Sequence, residues 1–152
     1  MPSLETDILL ELICSKRTCL EQLQAMGRRQ MELIESDQMS ALLDLLAQKQ
    51  QTIAELQQIE RGLDPFRDQA PEARRWRNEE ARRRCADELS ACEGLLAGII
   101  DGEKASERAL VLRRDEAATR LQGMHRAGRA RASYISPPAA TASQIDLCSD
   151  AS

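Results

Sequence analysis

Residues 31–61, MELIESDQMSALLDLLAQKQQTIAELQQIER, contain the pattern that decides the fold. Apolar residues recur at three- and four-residue steps on both sides of the polar pair Ser36-Asp37, which places one apolar stripe on each of two helices. Serine and aspartate are favoured N-cap residues, so this pair is the predicted start of the second helix. Because the connection is only about two residues long, the two helices are predicted to be antiparallel neighbours.

The segment before this turn predicts a first helix over residues 4–35. Ser3 is its predicted N-cap, and Glu5 and Asp7 place negative charge in the first turn, where the helix dipole favours it. The second helix is expected to end at Gly62 and Pro65, because glycine suits a C-terminal cap and proline cannot continue a helix.

A third helix is expected to begin at Pro71, a residue type common at the first helical position. It opens with an arginine-rich run over residues 74–84, interspersed with carboxylates at four-residue spacing. This pattern favours a solvated helix face with ion pairs over a dedicated anion- or RNA-binding face, and both interpretations stay open. The predicted apolar stripe of this helix consists of Cys85, Leu89, Cys92, Leu96 and Ile99.

Gly94, Gly98 and Gly102 lie four residues apart on the third helix. Either these small residues allow a close helix crossing, or Asp101-Gly102 is a break that leads into a fourth helix. A break near residues 101–103 is predicted, since an unbroken helix over 71–132 would exceed the usual globular length.

The sequence as a whole predicts an all-α protein. We expect an elongated antiparallel bundle of three to four long helices over residues 1–134, followed by a disordered tail over residues 135–152 that is rich in Ser, Ala, Pro and Thr. Ile145-Asp146-Leu147 is the one apolar spot of that tail and a candidate docking motif.

Composition excludes several classes of function. Only three of the 152 residues are aromatic, which argues against a β-sandwich or β-barrel. The single histidine, His125, has no carboxylate or cysteine placed to partner it, so neither an enzyme nor a cofactor is expected. A metal site is not expected, because no Cys-x-x-Cys pair occurs among Cys14, Cys19, Cys85, Cys92 and Cys148.

Charge and hydropathy exclude two kinds of partner. The net charge of −4 predicts no general attraction to nucleic acid. The acidic N-terminus is not a signal peptide, and the longest apolar run, residues 95–100, is far shorter than a bilayer span, so a cytoplasmic protein without membrane insertion is expected.

Two stretches resemble the FlgN-type flagellar export chaperones. Residues 31–61 are similar to the second-helix region of that family, with a small acidic turn followed by a leucine-rich run that closes on Glu60-Arg61. Residues 121–134, LQGMHRAGRARASY, resemble its closing motif, in which a basic helix end runs into a tyrosine just before a loose tail. The likeness extends over most of residues 4–134.

The resemblance implies a non-enzymatic chaperone of the bacterial cytoplasm. Such a protein binds the C-terminal helical segments of hook–filament junction proteins, prevents their premature polymerisation and delivers them to the flagellar type III export gate. Tyr134 matches the tyrosine that docks at the gate. The candidate client-binding residues are Leu110, Val111, Leu112, Ala117, Leu121 and Met124.

Two other interpretations of these residues stay open. Each apolar side chain could simply be core, although three consecutive apolar residues, Leu110 to Leu112, cannot all face one side of a helix. The protein could also be a self-associating coiled-coil scaffold without a secretion client. A monomer or a weak dimer is expected for the chaperone.

Overall fold

Three long helices make up most of the computed structural model, which describes residues 4–135. Their bounds are Glu5–Glu35 for α1, Met39–Arg67 for α2 and Glu79–Ile135 for α3, and a 3-10 helix at Pro71–Ala73 precedes α3. No strand occurs within residues 4–135, which confirms the all-α prediction for this part of the chain. The tail predicted for residues 135–152, including Ile145-Asp146-Leu147, lies almost wholly outside the described residues, and the domain bounds at 1–134 stay a prediction.

The described chain divides into two compact units, residues 4–110 and 111–135. The first unit contains α1, α2 and the beginning of α3, together with both hydrophobic clusters of the protein. The second unit consists of helical residues from α3. Neither unit contains, among the residues described, a helix long and apolar enough to cross a membrane.

The turn between α1 and α2 is closed by backbone hydrogen bonds. The Gln38 N–H donates to the Leu33 carbonyl at 2.9 Å and the Asp37 N–H donates to the Ile34 carbonyl at 3.2 Å. Asp37 adopts a left-handed φ of 59° between them. This is a Schellman cap, so the pair at residues 36 and 37 ends α1 instead of starting α2, and the N-cap of α2 is Gln38.

α1 and α2 pack antiparallel, as the short turn predicts. Lys16 near the start of α1 pairs with Glu60 near the end of α2, with 2.8 Å between Nζ and Oε1. Near the turn, buried Leu33 and Ile34 pack with Leu42 in the smaller apolar cluster. The larger cluster of buried residues joins all three helices: Leu9, Ile13, Leu20, Leu23, Leu63, Cys85 and Cys92.

The first part of α3 runs in the same direction as α1. Arg84 Nη2 lies 3.9 Å from Cys14 Sγ, and farther along both helices a Cβ at Gly98 would lie 3.6 Å from Gln24 Nε2. Between these points, Arg17 Nη1 lies 3.1 Å from Glu88 Oε1. The Cys92 thiol lies 3.8 Å from the carbonyl oxygen of Ile13, in the buried interface. Both other helices of this unit therefore pack against α1, because its apolar stripe is too wide for one neighbour to cover.

α2 continues past both of its predicted terminators and ends at Arg67. Leu63 is buried in the larger cluster and Phe66 packs against it, so stopping at residue 62 would expose both side chains. Gly62 is a packing position rather than a cap, because a Cβ there would lie 3.2 Å from Leu12 Cδ2. The prediction that Gly62 and Pro65 end α2 is wrong, because burial of the last turn outweighs the single backbone hydrogen bond that a proline removes.

α3 begins later than predicted, at Glu79 instead of Pro71. Asn78 provides a capping contact, since its Oδ1 accepts a hydrogen bond from the Ala81 N–H at 2.8 Å. Pro71 starts only one 3-10 turn. At the same end of this unit Leu4, rather than Ser3, is the N-cap of α1, and Asp7 Oδ2 accepts the Leu4 N–H at 3.0 Å.

Arginines from the first part of the arginine-rich run over residues 74–84 hold the loop before α3 against the start of α1. Arg77 donates two hydrogen bonds to Asp7, at 2.5 and 3.3 Å, and holds the pKa of that carboxyl below its usual range. Arg74 Nη2 donates to the Phe66 carbonyl at 2.8 Å, and Thr6 Oγ1 donates to the Arg75 carbonyl at 2.6 Å. These contacts favour a structural role for the first part of the run.

α3 is helical through residues 101–103, so the predicted break is wrong. The helix buries residues on both sides of that point: Cys92 lies in the larger cluster, Ser106 is 1% exposed and Ala109 packs against the smaller cluster. This burial offsets the cost of a helical glycine, about 1 kcal/mol relative to alanine. The glycines do not form a close crossing, because a Cβ at Gly94 or Gly102 would have no heavy atom within 4 Å.

Substitutions at Asp37 test the cap. Asp37→Gly should raise the free energy of unfolding by about 0.5–1 kcal/mol, since glycine adopts the left-handed conformation without steric cost. Asp37→Ala should lower it by about 1 kcal/mol, because alanine keeps the Cβ but lacks the short polar side chain that hydrogen-bonds locally and makes this conformation tolerable for aspartate. Urea denaturation followed by circular dichroism measures both, and equal stabilities of the two variants would contradict the assigned cap.

A candidate protein-binding surface on α3

The second unit exposes most of its large apolar side chains. Leu112 is 59% exposed, Leu121 66% and Met124 70%, while Val111 reaches 41%. Tyr134 is 94% exposed near the end of α3. Of the remaining candidate residues, Ala117 is half-buried, and Leu110, 37% exposed, is the last residue of the first unit. The core interpretation is therefore wrong for Leu121 and Met124.

The charge around these side chains is strongly positive. Residues 111–135 contain six arginines and two carboxylates. Arg113 pairs with Glu116 at 3.4 Å and Arg114 with Asp115 at 3.6 Å, so both carboxylates are engaged within the segment. The surface therefore offers apolar side chains in a basic surrounding, which suits a partner helix with apolar and acidic residues.

The first unit exposes a second apolar row on α3. Leu89, Leu96 and Ile100 are 39%, 42% and 46% exposed. The helical periodicity predicts Leu89 and Leu96 as part of the core stripe and does not single out Ile100. The width of the apolar pattern on α3 could have indicated this row. Leu95 and Ile99 directly precede Leu96 and Ile100 and pack against the larger cluster, so the apolar residues occupy more than one face of the helix.

Polar side chains from three helices meet between the two apolar clusters. Lys49, on α2, donates hydrogen bonds from Nζ to Gln30 Oε1 at 2.9 Å and to Glu103 Oε1. Burial lowers the pKa of Lys49. The sequence alone did not predict this cluster, because its two hydrogen-bonded pairs are separated by 19 and 54 positions and no local pattern connects them. A buried, hydrogen-bonded amine of this kind favours one helix register over others.

Burial makes the two thiols of α3 unreactive. Cys85 and Cys92 are buried, and burial raises the pKa of each. A raised pKa reduces the thiolate fraction, so these cysteines behave as small core residues. His125 is exposed, and residues 4–135 contain no group of three or more His, Cys, Asp or Glu side chains that could hold a metal ion.

The hollows of the first unit are open rather than enclosed. One of about 450 Å³ lies where the start of α1 meets the loop at Ala70 to Arg75. Another of about 200 Å³ lies between α1 and α3, where Gly27, Gly98 and Gly102 leave room. The exposed apolar rows of α3 are the candidate surface for a protein partner.

No protein-family model matches this chain, and comparison with curated proteins and with solved structures finds no similar one. The residues and their geometry therefore carry the functional argument.

Truncating an exposed residue of α3 should leave stability almost unchanged. We expect Leu121→Ala to change the free energy of unfolding by no more than about 0.5 kcal/mol, since the side chain is mostly solvated. Ile13→Ala, at a position 1% exposed, should cost about 2–5 kcal/mol. Urea denaturation of both variants measures the difference, and a loss above about 2 kcal/mol at Leu121 would show that it is core.

Proposed function

We propose that this protein is a cytoplasmic chaperone of flagellar type III export. It binds the C-terminal helical segments of hook–filament junction proteins, prevents their premature polymerisation and delivers them to the export gate. The observation that carries the proposal is the exposure of Leu112, Leu121 and Met124 on a helix, where no other part of the described chain covers them.

The chemistry of such a client matches this surface. Segments that polymerise by coiled-coil pairing expose apolar stripes, which need temporary cover in the cytoplasm. A client helix can lay its stripe against Leu112, Leu121 and Met124, as amphipathic helices do in helix-in-groove complexes. Methionine adapts its shape to imperfect partners, and the surrounding arginines favour carboxylates beside the client stripe.

The sequence resemblance supports the same function. Residues 31–61, which resemble the second-helix region of FlgN-type chaperones, form the end of α1, the capped turn and much of α2. The basic end of α3 leads to the exposed ring of Tyr134, the position of the gate-docking tyrosine in that family. An elongated antiparallel bundle with a disordered tail is part of this proposal.

Client binding should depend on the exposed residues of the second unit. The double variant Leu121→Ala/Met124→Ala should weaken binding of a junction protein's C-terminal segment at least tenfold, because each truncation removes about 1–2 kcal/mol of apolar burial from the complex. Isothermal titration calorimetry with a junction-protein segment from the same organism measures the effect.

Leu43→Ala is the matched control for this experiment. Leu43 is 68% exposed, close to the 66% of Leu121, but lies on α2. The control should bind like the unmodified protein. Absence of any complex with the unmodified protein at tens of micromolar would contradict the chaperone proposal, and equal losses in both variants would contradict the assigned surface.

A substitution at Tyr134 should impair delivery of the client without weakening its binding. Tyr134→Ala is expected to bind the client within about twofold of the unmodified protein, since the ring lies ten residues beyond Met124 on α3 and is almost fully solvated. Export of junction proteins into the culture medium should fall strongly, while Tyr134→Phe retains much of it. Normal export by the alanine variant would contradict the docking role.

A further inference from the structure

Charge is separated along α3. Residues 85–103 contain five carboxylates and neither lysine nor arginine. Residues 111–135 contain six arginines and two carboxylates. The helix dipole does not account for this separation, because its influence is confined to the first and last turns and residues 85–103 lie beyond the first turn of α3.

Each charged segment also carries an exposed apolar row of the same periodicity. In the acidic segment, Leu89, Leu96 and Ile100 follow one another at steps of seven and four residues, and Glu93 lies within the row. In the basic segment Leu121 and Met124 follow one another at a step of three. Arg114 lies seven residues before Leu121, on the same face. Steps of three, four and seven are the spacing of a coiled-coil seam.

We propose that the occupant of these rows is a second copy of this chain. The acidic segment 85–103 of one copy packs antiparallel against the basic segment 111–135 of the other, and the reverse pairing forms at the same time. Antiparallel packing places opposite charges together, whereas parallel packing in register would place like charges together. The result is a closed, two-fold symmetric dimer, unlike the open polymer of a scaffold.

This inference does not depend on the client proposal, because it uses only the charges and exposed rows of the two segments. The dimer nevertheless affects client binding. Leu121 and Met124 are covered in the dimer, so that a client must displace the second copy to reach them. The dimer thus keeps the apolar surface out of solvent until a client is present.

Charge reversal tests the dimer directly. Glu93 and Arg114 are both exposed and lie within the two apolar rows. Glu93→Arg and Arg114→Glu should each raise the dimer dissociation constant by about tenfold, because each substitution places like charges together twice in a symmetric dimer. Sedimentation equilibrium at low and high salt measures these constants, and salt should weaken the unmodified dimer.

Glu55→Arg is the control, since Glu55 is equally an exposed glutamate but lies on α2. It should dimerise like the unmodified chain, and circular dichroism checks that every variant retains its helices. A chain that remains monomeric at about 100 μM and low salt overturns the proposal, whether or not it binds a client segment. A dimer that neither reversal weakens overturns it as well.

Discussion

The first unit depends on the wide apolar stripe of α1. Ile13 and Leu20 are each 1% exposed, and burying a side chain of this size contributes about 1.5–3 kcal/mol. A single neighbouring helix cannot cover a stripe of this width, so both α2 and α3 pack against it. With α1 at the centre of the packing, the outer face of α3 receives no comparable cover, and Leu89, Leu96 and Ile100 remain exposed.

Polar contacts align the helices around α1. Arg17 joins α1 to Glu88 of α3, and Lys16 joins it to Glu60 of α2. Partly exposed ion pairs of this kind contribute little to stability individually, typically 0–1 kcal/mol, so their main effect is on register. Lys49 is more deeply buried than these pairs and fixes the helix register more strongly. An amine displaced from Gln30 and Glu103 would lose its hydrogen bonds in a buried environment. A shifted register is disfavoured for that reason.

The two proposals draw on one physical property of α3. The helix exposes apolar residues in both units and carries opposite charge in its acidic and basic segments, so it offers a partner both hydrophobic area and electrostatic complementarity. In both proposals the partner is an amphipathic helix with carboxylates beside its apolar stripe, supplied either by a client segment or by a second copy of the chain. Because both would cover Leu121 and Met124, their binding is mutually exclusive. Dimer dissociation then becomes part of the cost of binding a client.

The sequence by itself determined the helical class, the position of the turn near residue 37 and the exposure of at least part of Leu110 to Leu112. These features follow from local spacing, since three- and four-residue periodicity and the 100° step between helical residues need no knowledge of neighbouring helices. Only the tertiary structure decided where the helices end. α2 continues past Pro65 because Leu63 and Phe66 pack in the larger cluster. α3 continues through Gly102 because Ser106 and Ala109 pack against the rest of the unit. In both cases packing against distant residues outweighs the local signals. It also decided that Leu95 packs inward and Leu96 lies exposed, since that choice depends on the direction in which α1 lies.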